Sequence, residues 1–208
     1  MSAPLTPAEL AAMLELDDAA MARLERYVAL LVEWQERLNL VARSTLDDPW
    51  RRHVLDSAQL FRHVPAGART LVDLGAGAGF PGLVLAMMGV PEVTLVEARQ
   101  KKCRFLEAVA EATATPVTIR AVRVEALAGP VFDVVTARAL APLDRLLALS
   151  RHLVGPATTC LFLKGERAER ELTEARARWM MTVTEHPSLS HSDGVLLEIR
   201  DVHARARG

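Results

Sequence analysis

The chain has 208 residues, half of them hydrophobic and a quarter charged, with a formal net charge of −1. That composition is ordinary for a globular protein with a full core, as one large domain or one domain with an added lobe. The balanced charge excludes a global pull toward nucleic acid, and no apolar run approaches the ~18 residues of a membrane span.

Met1–Pro7 lacks a basic region followed by an apolar one, so no secretory signal is expected. Thr6-Pro7-Ala8-Glu9 is a capping box with proline at the first helical position, and predicts a short helix to about Leu16. Asp17 or Asp18 caps a longer helix carrying Met21, Leu24, Val28 and Leu31 at helical spacing, ending near Asn39. Asp48-Pro49 starts a third helix with Trp50, Val54, Ala58 and Phe61 along one side. Pro65–Ala68 bounds this helical part, giving a lobe over 1–66 packed on a core domain over 67–208.

From Arg69 strands and helices alternate. The predicted strands are Thr70–Leu74, Glu92–Glu97, Val117–Val122, Val131–Ala137 and Thr158–Lys164. The helices are Leu83–Met88, Lys101–Thr113, Leu143–Leu153 and Glu166–Met180. Met181–Glu185 and Val195–Val202 form a final hairpin-like pair around Ser192-Asp193-Gly194. This is an α/β pattern, a doubly wound, mostly parallel, Rossmann-like sheet with an N-terminal helical lobe.

The most specific feature is the run Asp73-Leu74-Gly75-Ala76-Gly77-Ala78-Gly79-Phe80-Pro81-Gly82. A glycine-rich turn between a buried strand and a helix brings backbone close to a nucleotide-like ligand, because glycine has no Cβ in the way. Glu97 ends the next strand, near the ~20-residue spacing at which an acid reaches a ribose hydroxyl pair. The glycine spacing resembles motif I of class I S-adenosylmethionine-dependent methyltransferases more than the dinucleotide pattern, which Gly82 leaves as an imperfect alternative. Cys103 and Cys160 sit in apolar settings without a ligand pattern. Buried thiols in the cytoplasm, and no metal, are expected.

Charge distribution points to an anionic substrate. Six basic residues and two acids lie between Arg99 and Arg123, and Arg43, Arg51, Arg52 and Arg62 add basic character in the helical lobe. Each run alone reads as a solvated face; two runs flanking one cofactor loop read as a nucleic-acid surface.

The chain as a whole resembles the ribosomal RNA small subunit methyltransferase G family, also called glucose-inhibited division protein B. The resemblance rests on Trp34 with Leu38-Asn39-Leu40, His53-Val54-Leu55-Asp56-Ser57 and the glycine run. It continues through Lys101-Lys102-Cys103-Arg104-Phe105-Leu106, Arg123-Val124-Glu125, Ala137-Arg138-Ala139 and Leu163-Lys164-Gly165. Val41-Ala42-Arg43 departs from the Thr-Ala that relatives often carry after Asn-Leu. The resemblance implies methylation of N7 of a guanine in 16S rRNA, with S-adenosylmethionine as cofactor and the rRNA or small subunit as partner. A monomer is expected.

Residue roles follow. Gly75, Gly77, Gly79 and Phe80 are expected to line the cofactor's amino-acid and sugar part, and Glu97 to accept from its ribose. The resemblance places Val124 and Glu125 beside adenine, and Arg138 on the methionine carboxylate. Asn39, Arg43, His53, Asp56, Lys101, Lys102, Arg104 and Lys164 are the candidate substrate contacts, Lys164 as a phosphate partner. His53 and Asp56 share one helix face. Alone, His53 reads as a core or capping residue at least as readily. Trp34 and Trp50 read as core. Two other functions compete: a small-molecule methyltransferase, against which the basic rim argues, and a nucleotide-binding regulator or dehydrogenase.

Overall fold

The structure is a computed structural model that describes residues 3–205; Met1, Ser2 and 206–208 lie outside it, including the first two residues of the N-terminal stretch read above. The capping box forms as expected: Thr6 and Glu9 exchange side-chain and backbone hydrogen bonds and start α1, Pro7–Leu14. Asp17 caps α2, Asp18–Gln35, by accepting from the Ala20 amide.

Helix α2 stops short of the expected Asn39 because the buried Gln35 side chain takes over the backbone. Its Oε1 accepts from the Leu40 and Val41 amides at 3.0 and 3.1 Å, and its Nε2 donates to the Val41 carbonyl. The expected third helix is also irregular. Trp50–Leu55 is a π-helical turn, continued by α3, Asp56–Ala58, and a 3₁₀ turn, Phe61–His63. Phe61, expected on the buried side, is 39 % exposed, because the regular α phase is lost before it.

The sheet follows the predicted alternation. Its strands are β1 Thr70–Leu74, β2 Glu92–Val96, β3 Thr118–Arg120, β4 Val134–Arg138, β5 Thr159–Lys164, β6 Trp179–Pro187 and β7 Val195–Ala204. The helices between them are α4 Gly82–Met87, α5 Gln100–Ala112, α6 Leu143–Ser150 and α7 Ala168–Arg176. Strand order is β3-β2-β1-β4-β5-β7-β6, parallel through β5, with β7 antiparallel to β5 and to β6. Helix α7 ends before the expected Met180. Trp179 starts β6 instead, buried in the core with its indole N–H on Asp144 Oδ1 at 2.9 Å.

Alternation along β1 divides the core. Leu71 packs with Leu83, Leu85 and Phe105, and that cluster extends without a break into Leu10, Leu24, Leu31 and Leu55 of the helical lobe. Val72 and Leu74 face the other way, with Val135, Leu146, Phe162 and Trp179. Cys103 and Cys160 are both buried, and burial pushes the Cys160 thiol up to about 12. Winding reverses between β1 and β4, and a crevice for ligands opens where their carboxyl ends diverge. Among the described residues no helix is long and apolar enough to cross a membrane.

Candidate cofactor and substrate site

The glycine turn sits at the carboxyl end of β1. Gly75, Gly77 and Gly79 all have positive φ, and at Gly77 (φ 60°) a side chain would meet only the Gly75 carbonyl and Lys102 Nζ, both at 3.7 Å. That is a cradle of bare backbone, open on the ligand side. Gly82 serves a different purpose. A Cβ there would lie 2.8 Å from Asp73 Cβ, so glycine lets α4 close on β1.

Asp73, just before the turn, is wholly buried. Its Oδ2 accepts from the Gly82 amide at 2.9 Å and its Oδ1 from Thr136 Oγ1 at 3.0 Å. Burial raises its pKa to about 6 against those hydrogen bonds. It shapes the turn from beneath. Glu97, just past β2, holds the turn from the side: Oε2 accepts from the Gly77 amide at 3.0 Å and Oε1 from the Arg99 amide at 2.7 Å. Each oxygen keeps a lone pair for a ligand hydroxyl.

The second half of the crevice is a cleft of about 690 Å³ beside Arg138, at the ends of β4 and β5. Arg138 Nη1 reaches Asp56 Oδ2 at 3.1 Å and the Arg52 carbonyl at 3.2 Å, and Nη2 lies 3.2 Å from His53 Nδ1. His53 Nε2 meets Thr45 Oγ1 at 2.7 Å. Burial, then the Arg138 and Arg52 charges, lower the His53 pKa to about 3, so the ring is neutral. Asp56 Oδ1 also accepts from Ser190 Oγ, which the β6–β7 loop brings across. Gln59 ties the same loop down, accepting from the Leu189 amide at 2.8 Å.

Phe80, expected to line the cofactor, lies between these halves. Its side chain is 3 % exposed and stacks with Tyr27 and His53 at 5.0 and 4.9 Å, and the Arg138 guanidinium lies over its ring. Lys164, expected as a phosphate partner, lies at the cleft with Glu171 at 2.8 Å from its Nζ and the Ala141 carbonyl accepting from it at 2.7 Å. Lys102, expected on the RNA face, leans over the glycine turn.

The other candidates scatter. Val124 is buried in the core, whereas Glu125 is exposed and pairs with Arg145 at 3.1 Å. Asn39, Arg43, Lys101 and Arg104 are exposed. Lys101 and Arg104 share a groove with half-buried Trp34 and with Arg37. Arg52, expected on the basic surface, lines the cleft, whereas Thr45 and Ser190 carry no sequence signal for it. Thr45 sits within reach of His53 in the chain, but Ser190 is 134 positions from Asp56, and no local pattern joins them.

The strand order, the glycine cradle at the β1 end and the acid at the β2 end define a class I S-adenosylmethionine-dependent methyltransferase. Solved structures agree on the fold. The O-methyltransferase from Bacillus cereus in complex with SAH superposes with a TM-score of 0.62 at 13% identity, covering 94% of this chain and 96% of that one. The glycopeptide N-methyltransferase MtfA, complexed with S-adenosyl-L-methionine, gives a TM-score of 0.59 at 15% identity over 71% of this chain and 93% of that one. Within this class, residues 20–199 match the family model described as rRNA small subunit methyltransferase G. The chain belongs to that family. Ribosomal RNA small subunit methyltransferase G of Paramagnetospirillum magneticum is 51% identical over 196 residues, 94% of this chain and 96% of that protein. The Rhodospirillum rubrum protein of the same name is 49% identical over 201 residues, 96% and 99% of the two chains.

Proposed function

We propose that this protein transfers a methyl group from S-adenosylmethionine to N7 of a guanine in the 16S rRNA of the small subunit. The observation that carries the reading is the junction at the β1 and β4 ends, where an open glycine cradle and a polar cleft meet. Residues 67–208 hold the cofactor in this reading. Residues 1–66 form a lobe that completes the cleft through His53 and Asp56. A monomer acting in the cytoplasm fits it.

The residues present fit the cofactor: bare backbone at Gly77 and lone pairs on Glu97 suit its sugar, and Arg138, which lines the cleft at the end of β4, offers a cation for its carboxylate. Bound there, S-adenosylmethionine supplies a methyl group activated by a sulfonium. What the protein must do is align a nucleophile with it and keep water out. Guanine N7 has a lone pair and no proton, so no general base has to act. The site is built accordingly. Asp56 is committed to Arg138 and Ser190, Glu171 to Lys164, and His53 stays neutral against Thr45. These groups position rather than shuttle protons. Exposed Lys101, Arg104, Arg52 and Arg43 supply positive charge for rRNA phosphates.

The test is to map N7-methylguanosine in 16S rRNA from cells with and without the gene, and to restore it with purified protein and cofactor. Loss of one site, restored on addition, supports the reading. An unchanged map, with methylation of a small molecule instead, overturns it.

A further inference from the structure

His63, His186 and Glu198 come together where the chain leaving the helical lobe meets the β6–β7 hairpin. One ligand atom from each lies within 4.8 Å of the other two. His186 Nε2 is 3.0 Å from Glu198 Oε2, and His63 Nδ1 is 3.7 Å from the same oxygen. The imidazole centroids are 4.1 Å apart. The sheet accounts for two of the three. His186 pairs with Leu196 across the antiparallel ladder, so Glu198, two residues on, lies diagonally on the same face. The 3₁₀ turn Phe61–His63 supplies the third. None of them lines the cleft beside Arg138.

We propose that these three side chains bind a divalent transition metal of the zinc class. Two imidazole nitrogens and one carboxylate oxygen are a ligand set that zinc takes in three-ligand sites with an open fourth position. Tetrahedral zinc with bonds of about 2.0–2.2 Å sets its ligand atoms about 3.3 Å apart. The observed 3.0 and 3.7 Å straddle that spacing. The side chains are between 14 and 27 % exposed, which leaves room for water in the fourth place.

Binding requires small rearrangements. His186 moves its proton to Nδ1 and offers the Nε2 lone pair, and the metal replaces its hydrogen bond to Glu198. Two guanidinium groups face the cluster. Arg200 Nη2 holds Glu198 Oε1 at 2.8 Å, leaves Oε2 to the metal and fixes the carboxylate from outside. Arg62 Nε donates to His63 Nε2 at 3.3 Å. Coordination through Nδ1 puts the proton on Nε2, so exposed Arg62 swings away. With a single carboxylate and two nearby cations, the site disfavours calcium and magnesium, which need several oxygen ligands. An occupied site ties the end of the helical lobe to the hairpin whose loop carries Ser190 to Asp56.

Cobalt(II) is the spectroscopic probe and zinc the competitor. Full-length protein stripped with chelator should take up one equivalent of cobalt, show visible ligand-field absorption, and lose it when zinc is added. Its thermal midpoint should rise with zinc concentration. His186→Ala and Glu198→Gln, checked for folding by circular dichroism, should each abolish the cobalt spectrum. Each should weaken zinc by more than the roughly 10–100-fold that losing an outer partner costs. His203→Ala, at an exposed histidine on β7, should bind as wild type does. Wild-type protein that takes up no cobalt, or binding that survives in both variants, overturns the proposal. Should the variants fail to fold, the wild type decides: one equivalent of zinc-displaceable cobalt supports the proposal, and no uptake overturns it.

Discussion

Arg138 and Asp56, 82 positions apart in the chain, form an ion pair at 3.1 Å across the floor of the cleft. The pair joins the end of β4 to the helical lobe, and both side chains are about four-fifths buried. Asp56→Ala leaves the guanidinium short of its carboxylate and frees Ser190. It should cost about 1.5–3 kcal/mol, the range for hydrogen bonds to charged groups, seen as a lower urea midpoint at unchanged slope. Methyl transfer should fall with it. A wild-type midpoint would mean that the pair is solvated and idle.

Gly77→Ala should weaken S-adenosylmethionine at least tenfold, about 1.4 kcal/mol, by titration calorimetry. The new methyl points into the cradle beside Lys102 Nζ. Because Gly77 has φ near 60°, the variant should also lose about 1–2 kcal/mol of stability. Full cofactor affinity in the folded variant would place the ligand elsewhere.

His53 should remain neutral in an NMR titration until the pH approaches about 3, since burial and two arginines oppose its charge. A depressed pKa means that the unfolded chain takes the proton first. The contribution is therefore complete above about 6.5 and is lost as pH falls toward 3. His53→Gln should thus be less acid-sensitive than wild type. Asp73 acts in the opposite sense: its raised pKa of about 6 lets the native state take a proton first, so its contribution improves as pH falls from 6 toward 3.8. An ordinary His53 titration near 6.5 would show an open, hydrated ring.

The basic residues of α5 should separate into two groups. Losing Lys101 and Arg104 should flatten the salt dependence of RNA binding by about 0.7–0.9 per lost phosphate contact and spare cofactor affinity. Lys102→Ala should do the reverse, since Lys102 Nζ lies over the glycine turn. Identical RNA slopes in wild type and the double variant would make this helix a merely solvated face.

Strand β1 is legible residue for residue, Thr70–Leu74, because an apolar run bounded by glycines has few other uses. The cradle and Glu97 are legible for the same reason: their chemistry is local. The helix ends are not. Gln35 stops α2 with a side chain whose partners lie beyond the helix, and Trp179 leaves α7 for a bond to Asp144 on another helix. The stacking of Phe80 on Tyr27 and His53 is not legible along the chain, since it depends on how the lobe docks. Ser190 and the His63–His186–Glu198 cluster are invisible along the chain, because only the antiparallel hairpin brings them to their partners.

The π-helical turn at Trp50–Leu55 has a consequence for sequence change by length rather than by identity. The Asp56 amide there bonds to the Arg51 carbonyl, one residue further back than an α-helix allows. Loss of one residue within the turn would let ordinary α bonds form and would favour the helix locally. It would also swing whatever follows by about 100° relative to whatever precedes. With Val54 or Leu55 removed, His53 and Asp56 could then no longer both face Arg138, though neither had changed. A single in-frame deletion of either codon would thus disable the cleft without altering the identity of any residue that lines it.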